Sequence, residues 1–235
     1  KKISGVGTLA GGFVLLGAPP TEGFDAAGQS TGSYAMSDMA FSLAGAREFG
    51  AGLSAGLNAR LVEERLDADS ASAASVDIGF LYVLPSGFRV GLSASNLGSG
   101  LRHLSASSRQ ASLIRLGLSN RFAKRRLLGA VDLVKPLDDD PELRLGAELA
   151  LTSKAFLRVG YSFEMGGNEI PGLSGLSAGL GFQAGPLVLD YAVSPMGDLG
   201  LTHFVGLGLR SGTASAARPP SVARPAVGAG QSLPA

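Results

Sequence analysis

Along most of the chain an apolar side chain stands at every second position, with glycine, serine, alanine or a charge between. Leu53, Ala55, Leu57, Ala59 and Leu61 alternate with Ser54, Gly56, Asn58 and Arg60. Val76, Ile78, Phe80 and Tyr82 flank Asp77 and Gly79, and Leu143, Leu145, Ala147 and Leu149 flank Arg144, Gly146 and Glu148. A period of two belongs to a β-strand, whose successive side chains point to opposite faces. The pattern predicts twelve strands, over 3–16, 33–48, 51–64, 75–84, 87–96, 111–122, 126–134, 142–152, 154–163, 174–184, 186–193 and 202–211. Its phase slips between Met36 and Met39, which predicts a bulge at Ser37-Asp38.

The connections carry a second regularity. Short turns at 48–50, 85–86, 123–125, 153 and 185 alternate with longer loops at 17–32, 65–74, 97–110, 135–141, 164–173 and 194–201. Outer-membrane barrels connect their strands this way, with tight periplasmic turns and longer extracellular loops. The expected fold class is therefore all-β, a transmembrane antiparallel up-and-down β-barrel occupying 1–211, its leucine-rich face toward lipid and lipopolysaccharide. Both chain ends would be periplasmic. Phe49, Phe88, Phe122, Phe156 and Phe182 sit next to the short turns and form the expected aromatic girdle on that side. Tyr34, Tyr161, Phe163 and Tyr191 mark the opposite rim.

Composition fits this picture. The chain is 45% hydrophobic yet holds 35 glycines in 235 residues, and no run of about 18 apolar residues offers a membrane-spanning helix. Twenty Lys and Arg balance 19 Asp and Glu, so no electrostatic footprint for nucleic acid exists. Cysteine is absent, which excludes disulfides and thiolate metal sites. Lys1-Lys2 and the apolar stretch after them imitate a signal peptide, but the glycines from Gly5 to Gly12 suit a strand better, placing any export signal upstream. Residues 212–235, rich in Ala, Pro, Gly and Ser, read as a flexible periplasmic tail.

No catalytic constellation emerges, so the chain is expected to be non-enzymatic. The nucleophile-elbow pattern G-x-S-x-G occurs at Gly175–Gly179 and again at Gly52–Gly56, each inside an alternating strand with no helix to follow. The pairs around Gly179 and Gly206 lack the βαβ unit of a dinucleotide site, so no cofactor is expected. Two histidines, His103 and His203, build no metal cluster, and Asp138, Asp139, Asp140 and Glu142 lack the spacing of a calcium loop.

The informative charges share the glycine-rich face: Arg60, Asp77, Arg89, Arg115, Asp132, Arg144, Glu148, Arg158 and Asp190. Basic residues in hydrocarbon cost about 2–4 kcal/mol each near the midplane, so this face is expected to line a lumen. A cross-strand network is expected there, with Asp132 between Arg115 and Arg144, and Glu148 reaching Arg158.

Several segments resemble the PorV/PorQ family: VGLSASNLG (90–98), VDLVKPLDDDPELRLGAELAL (131–151), LRVGYSF (157–163) and the long run over 172–210. Within that run the most specific parts are Leu189-Asp190-Tyr191, the loop Gly197-Asp198-Leu199-Gly200, and Thr202-His203. The resemblance implies an outer-membrane barrel related to the FadL-type transporters and usually of fourteen strands, two of which would precede this chain. It also implies association with type IX secretion, the long loops and barrel wall docking protein partners in a secretion or surface-attachment complex. Two other roles fit the same residues: a FadL-like or passive channel for small apolar solutes, and a structural membrane anchor.

Overall fold

A computed structural model describes residues 2–3, 7–67, 69–103, 106–108, 110–124, 126–166, 175–197 and 200–209. The tail over 212–235 lies outside them. The described strands are β1 (Lys2–Ile3), β2 (Gly7–Phe24), β3 (Ser30–Gly50), β4 (Leu53–Leu66), β5 (Asp69–Val83), β6 (Arg89–Gly98), β7 (Leu101–His103), β8 (Ala106–Ser108), β9 (Leu113–Phe122), β10 (Leu127–Pro136), β11 (Glu142–Ala150), β12 (Ala155–Glu164), β13 (Leu176–Ala184), β14 (Leu187–Pro195) and β15 (Leu201–Leu209). Twelve of these are long, the number expected, and they follow one another in up-and-down order. β7 and β8 form a separate small hairpin within the connection from β6 to β9. The chain divides into two compact units.

The first unit, residues 1–117 and 134–139, departs from the expected boundaries. β2 and β3 run for 18 and 21 residues, so the loop expected over 17–32 shrinks to a turn at 25–29, held by Asp25 Oδ1 accepting from the N–H groups of Ala27 and Gln29. Pro19-Pro20 concealed this extension. Proline is tolerated where no ladder partner needs its missing N–H, and the register of β2 against β3 shifts just there, between Ala18 and Thr21. The bulge expected at Ser37-Asp38 is absent: Ser37 pairs with Gly17 and Arg65, and Asp38 with Leu16 and Glu64, without interruption. The hydrophobic phase slips without a bulge because Tyr34 and Met36 stand in phase with Asp38 on one face of a continuous strand.

β5 begins at Asp69, so the loop expected over 65–74 reduces to a reversal around Asp67, whose φ is 53°. Loop lengths consequently do not alternate without exception. Ala71, Ala73 and Ser75 carry too little hydrophobicity to reveal a strand, yet they are among the most buried residues described. They share a face with Glu64, Val62 and Arg60 of β4, and β7 runs beside them.

The second unit, residues 118–133 and 140–235, is more regular. β11 to β15 have 9 or 10 residues each, close to the roughly 9–11 that a tilted strand needs to cross a bilayer. Their pairing fixes two faces. Arg144, Gly146 and Glu148 oppose Ser162, Gly160 and Arg158; these continue into Ser177, Gly179 and Gly181, then Ala192 and Asp190, then Phe204 and Gly206. The other face presents Leu145, Leu149, Val159, Leu180, Leu189, Val205, Leu207 and Leu209, all exposed and the last three by 73–80%. That inversion, with apolar side chains outside and glycine inside, is what lipid rather than water selects.

The chain has no tryptophan, so single-tryptophan variants report on each face directly. In vesicles of brominated lipid, Leu180→Trp and Leu207→Trp should be strongly quenched and Phe204→Trp should not; equal quenching of all three would contradict the assignment of faces.

Candidate functional site

The chemistry gathers on the glycine-rich face, in one cluster per unit. In the first unit the centre is Asp77 of β5. Its Oδ2 accepts from Asn58 Nδ2 at 2.8 Å and from Arg60 Nη2 at 3.0 Å, and its Oδ1 accepts from the backbone N–H of Asn96 at 2.8 Å. Asn58 and Asp77 are direct cross-strand partners. Asn96 belongs to a bulge where the β5–β6 register shifts between Val76 and Ile78, and it adopts the left-handed conformation, φ 58°. Its side chain accepts from Arg60 Nη1 at 2.7 Å and donates to the carbonyl of Ala111, while its own carbonyl accepts from Ser112 Oγ. Two residues on, Gly98 lies against β5 so closely that a Cβ would stand 2.0 Å from the Ala74 carbonyl. One carboxylate thus ties three strands and the bulge together.

In the second unit the centre is Arg158 of β12. Its Nε donates to Glu148 Oε2 at 2.9 Å, across the expected cross-strand pair, and its Nη1 donates to Asp190 Oδ1 at 2.6 Å. Asp190 is on β14, so the guanidinium crosses β13. It can do so because Gly181 stands beneath it: a Cβ there would lie 2.9 Å from Asp190 Oδ1 and 3.0 and 3.1 Å from the two Nη atoms. The side chains of Arg158, Glu148 and Asp190 are only 24%, 11% and 18% exposed.

The other expected members are placed differently. Arg144 is held by Glu142, two residues away on β11, and forms no ion pair with Asp132, whose carboxylate has no hydrogen-bond or ion-pair partner among the described residues. A partner on its own strand engages Arg144 Nη2 without crossing to β10. Arg115 lies in the first unit with its Nε buried and without a partner, and Arg89 is exposed near the turn between β5 and β6. Of the expected girdle, Phe49, Phe122 and Phe182 are exposed, the Arg47 guanidinium lies 5.9 Å from the Phe49 ring, and Phe88 is half-buried. Phe156 does not belong there. It pairs with Ala150 and Gly181, two positions from Arg158, and so points to the glycine-rich face. Proximity to a turn suggests the girdle, but its parity in the strand puts it on the face of Arg158.

Tyr191 and His203 sit at the other rim, on the leucine-rich face. Their rings stack at 6.1 Å, and Tyr191 Oη lies 2.7 Å from His203 Nδ1. The family-like loop before β15 turns on Gly197 and Gly200, both at positive φ, with Met196 N–H donating to the Gly200 carbonyl and Thr202 Oγ1 close to Met196 Sδ. Asp198 and Leu199 lie outside the described residues. Both G-x-S-x-G matches lie at strand starts, with Ser177 opposite Gly160 and Ser54 opposite Glu48, which is no setting for a nucleophile.

Between these strands the glycine-rich face of the second unit is hollowed into a cavity of about 660 Å³. Its wall includes Leu128, Ala130, Gly146, Gly160, Ala192 and Phe204 along with Asp132, Arg144, Glu148, Arg158 and Asp190. The missing side chains of the glycines create the space, and the charges around it are largely committed to one another.

Sequence reasoning found Arg60, Asp77, Glu148, Arg158 and Asp190 but not Asn58, Asn96, Glu142 or Gly181. Asn58 was legible, since it shares the phase of Arg60. Arg158→Met should strand two carboxylates and cost roughly 1–3 kcal/mol, between the values typical of exposed and of fully buried pairs. Arg65→Met, which breaks an exposed pair with Glu63, should change stability by less than about 0.5 kcal/mol. Gly181→Val should destabilise in the same way as Arg158→Met, and the double variant should lose less than the sum, as read from thermal unfolding in detergent.

No family model matches the chain, and no curated protein does. Solved structures do match. The toluene transporter TodX of Pseudomonas putida aligns over 78% of this chain and 72% of its own, with a TM-score of 0.59 at 13% identity. The toluene transporter TbuX of Ralstonia pickettii aligns over 83% and 74%, again with a TM-score of 0.59 at 13% identity. At that identity the likeness is one of fold, an antiparallel up-and-down β-barrel.

Proposed function

We propose that this chain is a non-enzymatic channel of the bacterial outer membrane for small, largely apolar solutes, which pass along its glycine-rich face. The observation that carries the reading is the cavity of about 660 Å³ in that face, within a fold shared with two toluene transporters. A cavity of this size accommodates a single-ring aromatic compound several times over. Leu128, Ala130 and Phe204 offer it apolar contact, while the committed charges of Arg158, Glu148 and Asp190 stiffen the wall behind. The exposed leucine-rich face supplies the surface that lipid and lipopolysaccharide would cover.

A second reading has one observation in its favour. β2 and β3 are about twice the length needed to cross a bilayer, and at roughly 3.3 Å per residue β3 extends about 70 Å. This overhang could dock a protein partner, as the PorV/PorQ resemblance implies, and the comparisons lend that family no support of their own. The two readings separate in cells of a channel-deficient strain, whose lipopolysaccharide slows unaided entry of toluene. Expression of the protein should raise the initial rate of radiolabelled toluene uptake several-fold over the empty vector. No increase, together with stable co-purification of a large protein partner that depends on residues 17–33, would favour docking instead.

A further inference from the structure

The charged groups on the cavity wall of the second unit are not all paired. The wall holds three carboxylates, Asp132, Glu148 and Asp190, against two guanidiniums, Arg144 and Arg158. Both guanidiniums are engaged by carboxylates. Arg158 is shared between Glu148 and Asp190, and Arg144 is bound by a further carboxylate, Glu142, with its Nε buried. The side chain of His203 points to the leucine-rich face, where its Nδ1 lies 2.7 Å from Tyr191 Oη. Of these carboxylates Asp132 has no hydrogen-bond or ion-pair partner among the described residues. Glu142 in turn stands directly opposite Glu164 at the end of β11 and β12.

We infer that the path along this face prefers cations and neutral solutes over anions, with Asp132 as the selectivity-determining residue. The physical basis is the one by which rings of acidic side chains select in channels: a fixed, uncompensated carboxylate raises the local concentration of cations and repels anions, most where water is confined. Paired carboxylates contribute little to that field, because the neighbouring guanidinium cancels them beyond a few ångströms. The asymmetry thus rests on the unpaired group. This deepens the channel reading and depends on it.

The test uses the full chain in planar lipid bilayers under a KCl gradient, beside the toluene-uptake measurement. The reversal potential should show potassium preferred over chloride. Asp132→Asn should lower that ratio about two- to five-fold, the effect of one unit charge at a few ångströms in a water-like medium, and Asp132→Lys should favour chloride. Because Asp132 has no partner among the described residues, thermal unfolding of Asp132→Asn should match that of the parent, so that altered selectivity is not a sign of misfolding. Preference for chloride in the parent, or a ratio unmoved by Asp132→Asn, would overturn the inference and leave the channel reading standing. Toluene uptake without ionic conductance would do the same, since the path would then expose no charge to water. Neither conductance nor uptake would overturn both.

Discussion

A charged side chain in hydrocarbon costs several kcal/mol, and a strand offers only two directions in which to point it. Those two facts together dictate most of this molecule. Once Leu180, Leu189 and Leu207 occupy one face, every residue between them must occupy the other, whatever its size or charge. Arg158 is then confined to the glycine-rich face, where its charge has to be met by protein. Glu148 meets it from the facing position on β11. Asp190 meets it from two strands away, which is possible only because Gly181 offers nothing to obstruct the guanidinium. The glycines are thus the complement of the ion pairs: they set how far a charged side chain can travel along the wall, and they leave the hollow in front of it.

The two clusters solve the same problem by different means. Around Asp77 the partners are two side chains and a backbone N–H exposed by a bulge, so the acceptor capacity of the carboxylate is filled by neutral and charged donors together. Around Arg158 one cation serves two anions. The first arrangement fixes the course of the chain, since Asn96 also ties Ala111 and Ser112 to the end of β6. The second joins β11, β12 and β14 beside the cavity.

Much of the fold was legible in the sequence, and the errors have definite causes. Twelve strands followed from alternation alone, because a membrane-facing strand must alternate. β5 was recognised six residues late, since Ala71, Ala73 and Ser75 are buried by virtue of their small size and not their hydrophobicity. The extension of β2 was hidden by Pro19-Pro20, which breaks a strand within a sheet but not where no neighbour requires the N–H. Of the charge network, the contact between Glu148 and Arg158 could be read, because the turn over 151–154 sets their register. The engagement of Arg144 by Glu142 could not, as it joins residues on one strand, and the reach of Arg158 over β13 depends on an absence of side chains that no spacing rule weighs. Phe156 was assigned by its distance from a turn when its parity would have placed it correctly.

The central claim is that one face of each strand meets lipid and the other meets a water-accessible path. Cysteine is absent from the chain, so single cysteines introduced along β13 and β15 can be labelled with a membrane-impermeant maleimide in intact cells. Reactivity should follow a period of two: cysteines replacing Ser177, Gly179, Gly206 and Gly208 react, while those replacing Leu176, Leu180, Val205 and Leu207 do not. Uniform reactivity along either strand, or reaction confined to the leucine positions, would contradict it.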